Sequence, residues 1–178
     1  YVLGYGIANG YLKKGTISSH KDDIEEIRSY ICELGYDCSD IYNVVDTNSS
    51  RFNIRGGVYK SYSELISRTK RIPKEYFLGS IKQRTELLKG LMDGDGSISK
   101  NGSVSYSSFN RELAEDVRDL ARSLGAISYV KEYSRIRRED VELESCTAEY
   151  VVTINIKINP FKLKRKADRW KPTRKNSR

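Results

Sequence analysis

Leu88-Lys89-Gly90-Leu91-Met92-Asp93-Gly94-Asp95-Gly96 is the stretch on which the reading of this chain turns. Gly90 and Gly94 stand four residues apart, so in a helix they share one face and allow another backbone to come close. Glycine inside a helix costs about 1 kcal/mol relative to alanine, so a pair of them needs a packing reason. The chain supplies one. Val2-Leu3-Gly4-Tyr5-Gly6-Ile7-Ala8-Asn9-Gly10 carries small residues at the matching places, Gly4 and Ala8. Two such faces in one chain suit each other, and the expectation is a pair of helices packed side by side on a pseudo-twofold axis. Leu87, Leu88, Leu91 and Met92 then bury the flanks of the second helix.

Outward from these stretches the order of events repeats. After the first comes a short polar segment, then Thr16 to His20. A helix follows over Asp22 to Leu34, with Ile24, Ile27, Ile31 and Leu34 on one face and Gly35 as its stop. After the second come Ser97 to Asn101 and an alternating run from Ser103 to Ser107. The next helix has Asn110 as N-cap, an apolar stripe of Leu113, Val117, Leu120 and Leu124, and Gly125 as its stop. Strand-like sequence continues each unit: Ile41 to Asp46 and Arg51 to Ile54 in the first, Ile127 to Tyr133 and Tyr150 to Ile158 in the second. The fold class is therefore α+β, built from two pseudo-symmetric αββαββα-like repeats. The boundaries read as 1–80, 81–161 and a basic tail, 162–178. Arg71 to Phe77 is the connector, because Pro73 turns the residue before it away from helix and lets a new helix start there and at Ser80.

The composition fits a globular chain of 178 residues, 38% hydrophobic and 31% charged, with no apolar run approaching the roughly 18 residues that span a bilayer. Cys32, Cys38 and Cys146 are odd in number and lack metal-type spacing, so they read as reduced, cytoplasmic thiols. A single histidine, His20, argues against histidine-based metal or triad chemistry. The chain begins at Tyr1 without a signal-type segment and reads as a piece cut from a longer polypeptide. The formal charge is +8, and all of it falls in Lys162–Arg178, which holds nine basic residues against Asp168; the rest balances at 23 of each sign. Such a tail is either a solubilising end or a contact for a polyanion. The charge-dense stretch from Arg135 to Glu144 reads as a solvated hairpin loop.

Asp93 and Asp95 sit where the second helix ends, facing the negative end of its dipole, so something positive should offset them. A hard divalent cation prefers such oxygen ligands. An EF-hand does not fit: with Gly96 as its sixth residue, its first and twelfth positions would be Leu91 and Gly102.

With these features in place, the chain resembles a known family. Residues 88–96 resemble the LAGLIDADG signature of homing endonucleases. Val2 to Gly10 resembles its partner in the form common in intein-borne members, Leu3-Gly4 through Asn9-Gly10. Arg71-Ile72-Pro73, Arg84 through Leu88, and Asn159-Pro160-Phe161 with Lys164-Arg165-Lys166 are similar to phrases that flank these domains in inteins.

The resemblance implies that the signature helices form the interface between two halves and that two antiparallel sheets form a saddle lying in the major groove of double-stranded DNA. It implies a monomeric enzyme, excised from an intein or intron-encoded precursor, that hydrolyses phosphodiester bonds with magnesium, or another divalent ion such as manganese or calcium, and leaves 3′ overhangs. The catalytic and metal positions fall on Asp95 and Asn9, with Gly94 and Ala8 in the same metal set. Lys157 is either a residue that polarises the water network or a phosphate contact. Alternation nominates Tyr11, Lys13, Lys14, Ser18 and His20 in the first unit as DNA contacts, and Ser97, Ser99, Ser103, Ser105 and Ser107 in the second. Arg51, Asn53, Arg55, Tyr133 and Arg135 extend that surface, and His20 either helps cap the next helix or touches DNA. One departure matters. The family's metal-binding acid in the first signature falls on Asn9, whose neutral amide weakens metal binding and implies impaired or strand-biased cleavage. The alternative function is a cleavage-deficient binder of DNA or RNA.

Overall fold

A computed structural model describes residues 1–11, 14–56, 70–135 and 147–172, without the side chains of Arg135 and Thr147. Lys13, Cys146, the charge-dense stretch beyond Arg135 and the last six residues lie outside the described residues. The first unit runs α1 (Val2–Asn9), β1 (Gly10–Tyr11), β2 (Thr16–His20), α2 (Ile24–Glu33), β3 (Tyr42–Asn43) and β4 (Ser49–Asn53). A 3-10 turn, Lys74–Phe77, follows Pro73. The second unit runs α3 (Ile81–Asp95), β5 (Gly96–Ile98), β6 (Val104–Ser108), α4 (Arg111–Ser123), β7 (Ile127–Arg135) and β8 (Thr147–Asn155). A short helix, α5 (Lys164–Ala167), comes last.

Local chemistry explains where the elements start and stop. Ser80 and Gln83 form a capping box that opens α3, satisfying two backbone donors that the first turn leaves free. The Asn110 side chain accepts from the Leu113 amide and caps α4. Gly35 and Gly125 follow α2 and α4 in the left-handed region, at φ 88° and 84°, as helix-stopping glycines do.

The two sheets repeat one antiparallel arrangement, β1-β2-β4-β3 and β5-β6-β8-β7. In each, one face is core and the other is open. Ile17 and Phe52 point inward from the first sheet, and Ile98, Val104, Tyr106, Val152 and Ile154 from the second. Each unit has its own apolar cluster, and α1 serves both: Val2 and Tyr5 join the first cluster, while Leu3 and Ile7 join the second. Leu87, Leu88, Leu91 and Met92 are buried as the sequence predicts.

The helix pair packs through its glycines. A Cβ added to Gly4 would fall on the Leu87 carbonyl oxygen and 3.0 Å from the Leu91 nitrogen; one added to Gly90 would fall on the Tyr1 carbonyl oxygen and 2.7 Å from the Tyr5 nitrogen. Further along, Gly94 meets Ala8.

The basic C-terminal stretch differs from the tail the sequence suggests. From Phe161 to Trp170 it straps the two units together. Phe161 enters the second core and Leu163 the first. Arg165 pairs with the buried Asp23 of the first unit through two contacts of 2.5 and 2.6 Å. The backbone amide of Lys164 donates to Glu26, and the Lys162 ammonium lies 4.1 Å from the centre of the Tyr30 ring. On the other side Arg169 donates to the Ile98 carbonyl.

The buried centre of this strap is Lys166, whose Nζ donates to the carbonyls of Met92, Asp93 and Gly96 at 2.7–2.9 Å. It caps the end of α3 with a full positive charge, opposite to the helix dipole. Burial pushes its ammonium down to about 8, with the charge of Asp93 pulling the other way. Asp93 is buried too, and accepts from the Tyr1 hydroxyl and the backbone amides of Lys162 and Leu163. Burial lifts its carboxyl to about 6 against the opposing pull of those hydrogen bonds.

These contacts set three stability outcomes. Gly90→Ala should lower the unfolding free energy by roughly 2–3 kcal/mol, because backbone on the facing helix must move; urea titration reads this. Lys166→Met, which strands buried carbonyls and leaves Asp93 without its neighbouring charge, should lower it by roughly 2–4 kcal/mol with the denaturant slope unchanged. Asp93 has a folded-state value near 6, above its ordinary 3.8. Its contribution is therefore full below pH 3.8 and is lost as the pH rises through about 6. The difference in melting temperature between the parent chain and Asp93→Asn should change across that window and stay level above it.

Candidate functional site

The ends of α1 and α3 meet at one place. Gly94 abuts Ala8, and a Cβ on Gly94 would stand 3.5 Å from the Asn9 amide nitrogen. The residue that follows Gly94 is Asp95. Both helices end here in extended backbone, at Gly10 and Gly96, and each runs directly into the first strand of its sheet. Asn9 and Asp95 therefore sit at corresponding points, where helix passes into strand.

Two open grooves lead away from this junction. One, of about 460 Å³, is lined by Asn9, Tyr11, Lys14, Thr16, Ser18, Tyr42 and Arg51. The other, of about 420 Å³, is lined by Asp95, Ala8, Lys70, Ser107, Phe109 and Glu149, among others. Each groove thus carries one of the paired signature residues and part of one sheet's open face.

Asp95 is open to solvent, yet the protein around it pushes its carboxyl upward. The positive charges of Lys70 and Lys166 and the Tyr106 hydroxyl pull it back. That hydroxyl is fully buried, has no hydrogen-bond partner within normal range, and feels Asp95 as its nearest charge. On the other side the Tyr5 hydroxyl faces the Asn9 side chain. A buried hydroxyl without a partner beside a carboxylate marks a place for water or an ion.

The donor set fits a hard divalent cation of one particular kind. One carboxylate and one carboxamide would supply oxygen ligands, and among the described residues no group of three or more His, Cys, Asp or Glu gathers to form a closed cage. Magnesium is commonly held this way, by one or two carboxylates together with waters and substrate phosphate. Gly94 and Ala8, placed in the metal set by the resemblance, form the contact between the helices.

The other sequence candidates fall into groups. The register places Tyr11 opposite Thr16, Thr16 opposite Asn53, and Ser18 opposite Arg51 on the open face of the first sheet, with Lys14 in the same groove. The Asn53 amide oxygen accepts from the Thr16 hydroxyl, and Arg55 lies 3.6 Å from Asp37. His20 accepts from the Asp22 amide in the turn before α2, whose N-cap residue is Asp23. Ser97, Ser105 and Ser107 share the open face of the second sheet; Ser99 and Ser103 hydrogen-bond to each other in its first turn. Tyr133 and Arg135 lie on the outer strand β7.

Lys157 is not brought to Asp95. Gly96 pairs with Tyr106 and Tyr106 with Val152, whereas Lys157 lies beyond the end of β8 at Asn155, in a bend outside the strand the sequence predicted to run to Ile158, and it lines neither groove at the helix ends. Lys70 faces Asp95 instead. The sequence reading missed Lys70, Tyr106, Lys166 and the second role of Asp93. The one signal for them was the need for positive charge at the end of α3, and that signal did not say which residue supplies it.

Residues 82–159 match the family model described as a LAGLIDADG-like domain. A stretch of 98 residues, 55% of this chain, is 41% identical to part of the replicative DNA helicase DnaB of Mycobacterium intracellulare, and the match covers 16% of the helicase. Among solved structures, the homing endonuclease I-DmoI in complex with DNA and Ca superposes with a TM-score of 0.61 at 16% identity, over 94% of this chain and 93% of its own. The N-terminal LAGLIDADG domain of DUF199/WhiA superposes with a TM-score of 0.57 at 13% identity, over 85% of this chain and 72% of its own. Residues 82–159 are thus similar to a LAGLIDADG-like domain, and the chain as a whole shares the fold of I-DmoI.

Proposed function

We propose that this chain is a sequence-specific DNA-binding protein of the homing-endonuclease type that acts as a monomer on double-stranded DNA, with metal-dependent strand cleavage weakened or biased to one strand by Asn9. The observation that carries this reading is the junction of α1 and α3, where Asn9 and Asp95 stand at equivalent ends of two touching helices, each opening into a groove on a sheet face. Two open sheet faces, one on each side of a central cation site, form a surface suited to a duplex that spans both. I-DmoI, whose fold this chain shares, has been solved with DNA and with Ca or Mn. The helicase match, confined to 16% of that protein, supports reading the chain as an insert excised from an intein-bearing host, and hence as acting inside the cell.

A bound magnesium ion would supply an activated water and would stabilise charge on the scissile phosphate. The chain's own residues divide the remaining work. Asp95 would hold the cation through a charged oxygen and Asn9 through a neutral one. Lys70 sits across the groove from Asp95, placed to meet a phosphate oxygen. Lys166 stays out of the groove and neutralises the end of α3 from behind. With a single carboxylate at the junction, the half that contains Asn9 attracts cation less strongly, since charge-assisted contacts are about twice as strong as neutral ones.

The reading in which the chain binds nucleic acid without cutting rests on the same residue. A supercoiled plasmid carrying the insertion site separates the two. The proposal expects nicked circles to accumulate in magnesium, with slow conversion to linear product. Asn9→Asp should raise the yield of linear DNA tenfold or more at equal protein, and Asp95→Asn should abolish nicking while leaving the gel shift. Rapid complete linearisation by the parent chain overturns the impairment, and supercoiled plasmid left intact by both the parent and Asn9→Asp favours the binder.

A further inference from the structure

The two open sheet faces carry different chemistry. Across the second sheet the register fixes two outward rows, Ser105–Thr153–Tyr129 and Ser107–Val151–Lys131, and Ile127 stands opposite Asn155 at the near end of the outer strand. The hydroxyls of Ser97 and Ser105 meet at 2.9 Å, so β5 shares this face. In the rows that β6 crosses there is no arginine, while Ile127 is 73% and Tyr129 54% exposed. The second sheet's one cation in these rows is Lys131, whereas the first sheet exposes Tyr11 and Tyr42 and adds a guanidinium. Arg51 stands between Ser18 and Tyr42, and Lys14 lines the same groove.

Major-groove chemistry turns this contrast into a difference in sequence preference. A guanidinium meets guanine O6 and N7 through two hydrogen bonds, serine hydroxyls accept either donor or acceptor edges, and apolar side chains favour the C5-methyl of thymine. We propose that the two sheets read half-sites of different chemistry: the first selects guanine through Arg51, and the second selects thymine by its methyl group through Val151, Tyr129 and Ile127. This rests on the reading of the open faces as the DNA-contacting surface. Because β8 and β7 are the third and fourth strands of their sheet, the thymine contacts lie outward from the cleavage centre, by roughly 10–15 Å at about 4.8 Å per strand.

The test is a selection from randomised duplexes with the whole chain in calcium, followed by titration of the selected duplex with single bases replaced. Thymine at outer positions of one half, and guanine in the other, is the expected pattern. Uracil in place of such a thymine removes one methyl and should weaken binding about fourfold, the equivalent of about 0.8 kcal/mol. Val151→Ser should erase the difference between thymine and uracil at its position. Arg51→Ala should leave that difference intact and relax the guanine preference in the other half. Tyr129→Ser, at an exposed place on the outer strand, makes the same measurement without disturbing the middle of the sheet. Equal affinity for the thymine and uracil duplexes, or discrimination retained in both serine variants, overturns the proposal while leaving DNA recognition standing. Selection that yields no preferred sequence from a chain folded by circular dichroism overturns DNA recognition itself, and this inference with it.

Discussion

The structure depends on one reciprocal contact. Gly4 lies against the backbone of Leu87 and Leu91, and Gly90 lies against the backbone of Tyr1 and Tyr5. Any side chain at either place meets main-chain atoms, which cannot rotate away. The spacing of the two helices is therefore set by backbone surfaces, and everything attached to the helix ends inherits that spacing. Each helix runs without a loop into the first strand of its sheet, so fixing the helix pair also fixes the distance between the sheets. It brings Asn9 beside Gly94 as well. The facing surfaces of one helix pair thereby define both the interface and the site.

Such a junction has an electrostatic cost. Two helix C-termini converge, each equivalent to about half a negative charge, and Asp93 and Asp95 are added to them. Lys166 answers the end of α3 and Asp93 from inside, and Lys70 answers Asp95 from the groove. The Tyr106 hydroxyl, buried in the second core, adds no positive charge to the junction. On the proposed reading, a cation shared with phosphate would meet the negative charge that remains on the groove side. A second carboxylate at position 9 would make the junction more negative, raising the affinity for cations and also the cost of folding in their absence. On the proposed reading, Asn9 would lower the demand for metal and the capacity to use it together.

Local signals carried much of the fold. The repeat, Asn110 as a cap, Gly35 and Gly125 as stops and the start at Ser80 all depend on neighbours within a few residues and appear where the sequence places them; the helix stripes do too, except that Leu34 stands exposed just past the end of α2. The contact of α1 with α3 was legible because a helix tolerates the cost of paired glycines chiefly where a second backbone must come close. What escaped the reading depends on partners far apart in the chain. Asp93 and Lys166 are 73 residues apart at the carbonyl contact, and Asp23 and Arg165 are 142 apart. A cluster of basic residues at the end of a chain reads as a tail because nothing in its neighbourhood shows that Leu163 and Phe161 enter two different cores. Alternation likewise extends the last strand to Ile158, but β8 ends at Asn155 and leaves Lys157 in a bend beyond the sheet.

The halves share an order of elements but not their extent. β7 and β8 are nine residues each, whereas β1 and β3 are two each. At about 3.3 Å per residue the β7–β8 hairpin extends roughly 30 Å, and β6 supports only the part that pairs with Tyr150 to Ile154. The rest, from Tyr133 to Arg135 against Thr147 to Glu149, reaches past the sheet as a two-stranded ribbon. A ribbon of that kind fits the width of a major groove, where a flat sheet edge would have to stop. The first unit has no such extension among its described residues, so on the proposed reading its DNA contacts would be made close to the helix junction by Lys14, Arg51 and their neighbours. Pseudo-symmetry in the fold therefore does not imply symmetry in the surface, and a target read by this chain should be unequal in length on its two sides as well as in base chemistry.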